Sequence, residues 1–170
     1  MRLFDSHAHY FDHRFDEIGG ADGILQSEVF GKDVARVINV GTNCDNASRC
    51  LEQAARYEGM YAALGIHPED ARYLEGTPEE NLARLESLLG DKENRREKKI
   101  VAIGEIGFDY HWEGYDSALQ KKYFEAQMRL AERLELPVII HDLLHDLVYL
   151  VNDYIIDRVK KPVEGRSADP

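Results

Sequence analysis

Val101-Ala102-Ile103-Gly104-Glu105-Ile106-Gly107-Phe108-Asp109 runs from a β-branched-rich apolar segment into a carboxylate set between two glycines. Such a run reads as a buried strand, and Gly104 and Gly107 leave room for backbone or ligand to approach Glu105 closely. A lone glutamate after a buried strand has little structural purpose. Two distant stretches share the design. Leu3-Phe4, which looks like a buried strand, leads into Asp5-Ser6-His7-Ala8-His9, and Pro137 starts the run Val138-Ile139-Ile140 that His141 follows. Side chains alternate faces along a strand, so His7 and His9 project to the same side and form a ready-made chelate. His-x-His alone is a weak signal. His7, His9, Glu105 and His141 together, each at the carboxyl end of an apolar run, read as a metal site, and imidazole with carboxylate suits zinc, iron, nickel or manganese.

The shared position of these residues sets the architecture. Parallel strands joined by helices gather their carboxyl ends on one face, where βα folds build their active sites. Val34 to Val40 and Met60 to Leu64 supply two more apolar runs, so five strands recur about every 34 residues, close to one βα unit of a barrel. The expectation is an α/β fold of the TIM type, an incomplete (β/α) barrel of about five parallel strands with flanking helices. Thr77, Pro78 and Glu80 form a helix start with a capping box, and Leu82, Leu85 and Leu89 give that helix one apolar face. A helix over 117–134 carries Leu119, Tyr123, Ala126, Leu130 and Leu134 at near-helical spacing. A third, from about Asn46 to Tyr57, takes Gly59 as its C′ residue. The mixed-charge run 91–99 reads as a solvated loop.

The chain has 170 residues, 44% of them hydrophobic and 31% charged, enough for one domain with a core and without an apolar run long enough to span a bilayer. No signal peptide is visible. Cys44 and Cys50 match neither a disulfide framework nor a zinc motif, so a reducing, cytoplasmic setting is expected. The net charge of −11 disfavours broad electrostatic binding of duplex DNA, since phosphate affinity normally comes from Lys and Arg patches.

Four motifs, in order, carry a resemblance: Phe4-Asp5-Ser6-His7-Ala8-His9, Gly65-Ile66-His67-Pro68, Ile103-Gly104-Glu105-Ile106-Gly107-Phe108-Asp109-Tyr110 and Pro137-Val138-Ile139-Ile140-His141 resemble the TatD family of metal-dependent deoxyribonucleases. The resemblance covers roughly the first 142 positions. It implies a barrel hydrolase that cleaves DNA phosphodiesters with a metal-activated water and two divalent ions, Mg²⁺, Mn²⁺ or Zn²⁺. It also implies that His7, His9 and Glu105 hold one ion, and that Glu105 bridges to a second held with His141. His67 would take a substrate-phosphate or supporting role, although the residues alone equally allow a turn histidine before Pro68. Asp109, four residues beyond Glu105, either orients a metal-bound water or ligand histidine or caps a turn. Glu105, Asp109 and His67 are thus the candidate catalytic residues, and single-stranded DNA or strand ends the expected partner.

The family's further histidine after the next strand and its late aspartate have no counterpart here, and the chain stops about three βα units short of a typical barrel. The expected organisation is a barrel part over 1–142, a divergent helix over 143–163 and a disordered tail over 164–170, as a shortened reading frame would give. His145 could share a helix face with His141 as a stand-in ligand. Five parallel strands would leave an apolar inner face and a strand edge uncovered, which favours self-association. The alternative to an active nuclease is an inactive remnant that binds one metal ion or none.

Overall fold

A computed structural model describes residues 3–143. Five strands, β1 (Leu3–Ala8), β2 (Val34–Val40), β3 (Met60–Leu64), β4 (Ile100–Asp109) and β5 (Val138–Leu143), pair in the order β1-β2-β3-β4-β5, every pair parallel. Sequential order and parallel pairing give a curled sheet, half of a (β/α) barrel. The connections hold α1 (Ala21–Ile24, continued by a π turn over Leu25–Val29), α2 (Ala47–Arg56), α3 (Pro78–Leu89), α4 (Lys92–Glu97) and α5 (Ser117–Leu134), with short 3₁₀ turns at His13–Ile18 and Asp70–Arg72. The helix and tail expected beyond Leu143, His145 included, lie outside the described residues. Leu143 itself ends β5, opposite Asp109, rather than opening a helix.

The core lies between the outer face of the sheet and its helices. Val37, Met60, Leu64, Ile103 and Ile106 meet Cys50, Ala54, Leu85, Leu89, Phe124 and Leu130 there. Thr77 accepts a hydrogen bond from the Glu80 amide while the Glu80 carboxylate accepts one from the Thr77 amide, completing the capping box with Pro78 in the first turn. The opposite, inner face carries a small buried cluster of Val40, Ala63 and Ala102. Phe4, Ile38, Tyr61, Val101 and Ile139 continue it into an open hollow of about 570 Å³.

Three expectations need correction. Leu3 and Phe4 are exposed, Phe4 by 59%, because β1 is an edge strand of the described sheet and Phe4 faces the open hollow. Residues 92–97 form α4 instead of a loop: Asp91 caps the Asn94 amide, and Arg95 is buried with its guanidinium donating to the Gly90 carbonyl. Gly59 is no helix cap, since α2 closes at Tyr57 in extended geometry. A Cβ at Gly59 would stand 2.5 Å from the Ala35 carbonyl oxygen, so close packing on β2 requires glycine there.

Candidate metal centre

Glycine lets β4 and β5 converge. Gly107 has φ +148°, and a Cβ on it would fall 1.9 Å from the His141 carbonyl oxygen. A Cβ at Gly104 would meet Ile139 at 2.7 Å. The close approach read from this stretch is therefore real, and it brings β5 against the part of β4 that carries Glu105.

Glu105 is buried at the centre of the strand ends. Its Oε2 lies 3.1 Å from His7 Nε2, 3.6 Å from His9 Nε2 and 4.0 Å from His67 Nε2, while its Oε1 faces His141 Nδ1 at 3.0 Å. The other nitrogen of His141 meets Asp109 Oδ2 at 3.1 Å. Thus all six residues singled out from the sequence come together, at the carboxyl ends of β1, β3, β4 and β5. Five of them, all but Asp109, line an open cleft of about 800 Å³ together with Asp12, Arg14, Thr42, Asn43, Arg49 and Asp70; Asp109 reaches the cleft through His141.

Hydrogen bonds fix two of the tautomers. His9 Nδ1 is 2.7 Å from the Val40 carbonyl oxygen, which can only accept, so the ring donates there and a neutral His9 turns a bare Nε2 to the site. His7 Nε2 is 3.1 Å from that atom. The ring nitrogen of His7, the bare Nε2 of His9 and the Glu105 carboxylate therefore converge on a common centre. Ligand atoms bound at about 2.0–2.2 Å around one ion stand about 2.8–3.6 Å apart, the short end for octahedral and the long end for tetrahedral angles. The observed triangle of 3.1, 3.1 and 3.6 Å fits such a shell. His67, Glu105 and His141 form a looser trio, in which His67 Nε2 stands 4.0 Å from Glu105 Oε2. There His67 Nδ1 accepts from the Glu69 amide at 3.1 Å, so a neutral His67 presents an N–H at Nε2, not a lone pair.

Electrostatics match this arrangement. Burial alone would raise the Glu105 pKa, but the His141 hydrogen bond and the charges of His67, His7 and His141 bring it down to about 2, so it is a carboxylate at neutral pH. Burial opposes the charged form of His141, yet its bonds to Glu105 and Asp109 raise its pKa. Burial, aided by His141, lowers that of His67 and favours its neutral donor form.

The sequence reading missed a set of buried amides that hold these strand ends. Gln127, on α5, accepts from the Ile66 amide at 2.7 Å and donates to the Ile66 carbonyl at 3.1 Å, next to His67. One heptad earlier Gln120 does the same for Asp109, at 3.1 and 2.8 Å. Asn39 and Gln53 grip each other and both backbone groups of Tyr10, just past His9. The available signal was a pair of amides, seven apart, on the otherwise apolar face of α5.

A half-barrel that collects histidines and carboxylates at its strand ends defines the class as a (β/α)-barrel protein with a candidate metal centre. The sequence pattern described as TatD related DNase matches residues 4–149, and the chain belongs to that family. It is 36% identical over 153 residues to the uncharacterized metal-dependent hydrolase YabD of Bacillus subtilis, covering 89% of this chain and 55% of YabD. It is 35% identical over 131 residues to the 3′-5′ ssDNA/RNA exonuclease TatD of Cronobacter sakazakii, covering 77% of this chain and 44% of that protein. The crystal structure of YjjV, a TatD homologue from Escherichia coli, superposes with a TM-score of 0.73 at 30% identity, over 99% of this chain and 61% of YjjV. The chain spans about half the length of the curated relatives it matches. Among the described residues no helix is long and apolar enough to cross a membrane.

Proposed function

We propose that the chain is a divalent-metal-dependent phosphodiesterase acting on DNA, with single strands or strand ends as substrate. The convergence of His7, His9 and Glu105 into a triangle of ligand dimensions carries this reading. In it, these three residues would hold one ion, and Glu105 and His141 would take part in holding a second. Mg²⁺, Mn²⁺ and Zn²⁺ are the candidates, with the histidine-rich shell favouring a transition metal. When bound, the ions supply an acidified water at neutral pH and positive charge for the phosphoryl oxygens. The chain's own residues then do the rest. Asp109 accepts from His141 Nε2–H, which fixes the ring and turns Nδ1 toward Glu105. His67, neutral and with an N–H at Nε2, donates to a phosphate oxygen at the cleft. Gln120 holds the backbone of Asp109, and Gln127 holds that of Ile66, the residue before His67.

The free, buried Cys44 and Cys50 accord with a cytoplasmic location, and the apolar inner hollow with self-association. A second reading, a non-catalytic protein that holds a single ion, is favoured by the looser geometry of the His67-Glu105-His141 trio. The two are separated by measuring Mn²⁺-dependent release of nucleotides from single-stranded DNA, with Glu105→Ala alongside. Activity that disappears in the variant supports the phosphodiesterase; equal, negligible rates support the single-ion protein.

A further inference from the structure

Beside the metal centre lies a narrow crevice that the mechanism above does not use. It runs between the turn after β3 and the loop 110–116 after β4, and its walls include Pro68, Glu69, Arg72, Asp109, Trp112 and Tyr115. Asp109 belongs to both places, since its Oδ2 contacts His141 at 3.1 Å. A group seated in the crevice is therefore separated from the metal ligands by one side chain.

Two aromatic rings stand in solvent here, Trp112 exposed by 50% and Tyr115 by 47%. Tyr115 is braced from the core by a run of rings: Phe124 to Phe108 at 5.1 Å, Phe108 to Tyr110 at 5.8 Å and Tyr110 to Tyr115 at 4.8 Å. Arg72 ties the opposite wall to this loop by donating from Nη1 to the Glu113 carbonyl at 2.9 Å, with its guanidinium 4.6 Å over the Tyr73 ring. Among the described residues, Arg72 Nε is the buried side-chain nitrogen left without an acceptor. Glu69, Asp109 and Asp116 also line the crevice. Three carboxylates against one guanidinium repel a phosphate, whereas a flat neutral ring with acceptor atoms suits the exposed rings and the unpartnered N–H.

We propose that the exposed rings of Trp112 and Tyr115, at the mouth of this crevice, form a base-stacking subsite, which holds a nucleobase of single-stranded nucleic acid while the adjoining phosphodiester lies at the metal centre. The inference rests on the DNA-hydrolase reading and adds how an acidic chain, at net charge −11, retains a polyanion: through bases more than through phosphates.

Trp112 is the only tryptophan of the chain, so its fluorescence reports the contact directly. The 170-residue protein would be titrated in EDTA with an oligothymidylate and with an abasic strand of equal length and charge, and Mn²⁺-dependent hydrolysis of the oligothymidylate followed in parallel. Saturable quenching by the oligothymidylate and little by the abasic strand is expected. By anisotropy of a labelled strand, Trp112→Ala and Tyr115→Ala should each bind roughly 5- to 100-fold more weakly, with Trp112→Phe partly restored. Equal responses to the two strands, or alanine variants that bind as wild type, overturn the subsite. Hydrolysis without base-dependent quenching overturns the subsite alone. Base-dependent quenching without hydrolysis supports the subsite and overturns the hydrolase reading. Should Trp112→Ala misfold by circular dichroism, Tyr115→Ala decides, because it keeps the fluorophore.

Discussion

Replacing Gln127 by leucine sets two large effects against each other. Gln127 is wholly buried, and an apolar side chain of similar size gains about 2 kcal/mol from burial. Area alone therefore predicts a more stable protein. The amide, however, satisfies both backbone groups of Ile66, accepting at 2.7 Å and donating at 3.1 Å. Leucine leaves that N–H and C=O without partners inside the core, at about 1–3 kcal/mol each. The loss of about 2–6 kcal/mol, centred near 4, exceeds the gain of about 2, so Gln127→Leu should be destabilised by about 2 kcal/mol net, within about 0–4. With a urea slope of about 2 kcal/mol/M for a small domain, the unfolding midpoint falls by about 1 M, and by about 2 M at most. Urea unfolding followed by far-UV circular dichroism measures this. A Gln127→Leu protein more stable than wild type would refute the role assigned to the buried amides.

Three further outcomes follow from the same structure. Gly107→Ala forces a Cβ to within 1.9 Å of the His141 carbonyl at a φ that disfavours side chains, so it should cost about 3 kcal/mol or more by overpacking and backbone strain and be visible in the same urea assay. Burial pushes the Cys50 thiol up to about 12, so the folded state keeps its proton after the unfolded state has lost it. Stability is then unaffected below about pH 8.5 and falls as pH rises toward 12, a slope that Cys50→Ala should reduce when urea midpoints are compared at pH 8 and pH 10.5. Thr77→Ala removes the side-chain acceptor of the Glu80 amide and half of the capping box, and should lower stability by about 1 kcal/mol in thermal unfolding.

The strands were legible because each is a short apolar run with punctuation at its ends, and β2 and β3 fall on the residues read from the sequence. The candidate site was legible for the same reason. Period-two alternation puts His7 and His9 on one side, and parallel topology gathers the strand ends, so His7, His9, His67, Glu105, Asp109 and His141 meet as their positions require. What failed were readings that depend on neighbours. Leu3 and Phe4 are apolar enough for burial, but hydrophobicity says nothing about what covers an edge strand. The helix at 92–97 has no apolar period and is decided by the Asp91 cap and the Gly90 carbonyl that Arg95 finds. Gly59 follows a helix, as a cap would, yet the approach of the Ala35 carbonyl explains it. Taken singly, Gln120, Gln127 and Asn39 carry no signal of their own in the sequence, and only the fold shows which backbone groups they satisfy.

The account turns on Glu105 as the shared carboxylate of a metal centre. Isothermal titration of the EDTA-stripped chain with Mn²⁺, beside His7→Ala, His141→Ala and Glu105→Ala, tests it most directly. The account predicts two sites, one removed by His7→Ala, the other by His141→Ala, and both by Glu105→Ala; Mn²⁺ binding that survives Glu105→Ala unchanged would contradict it.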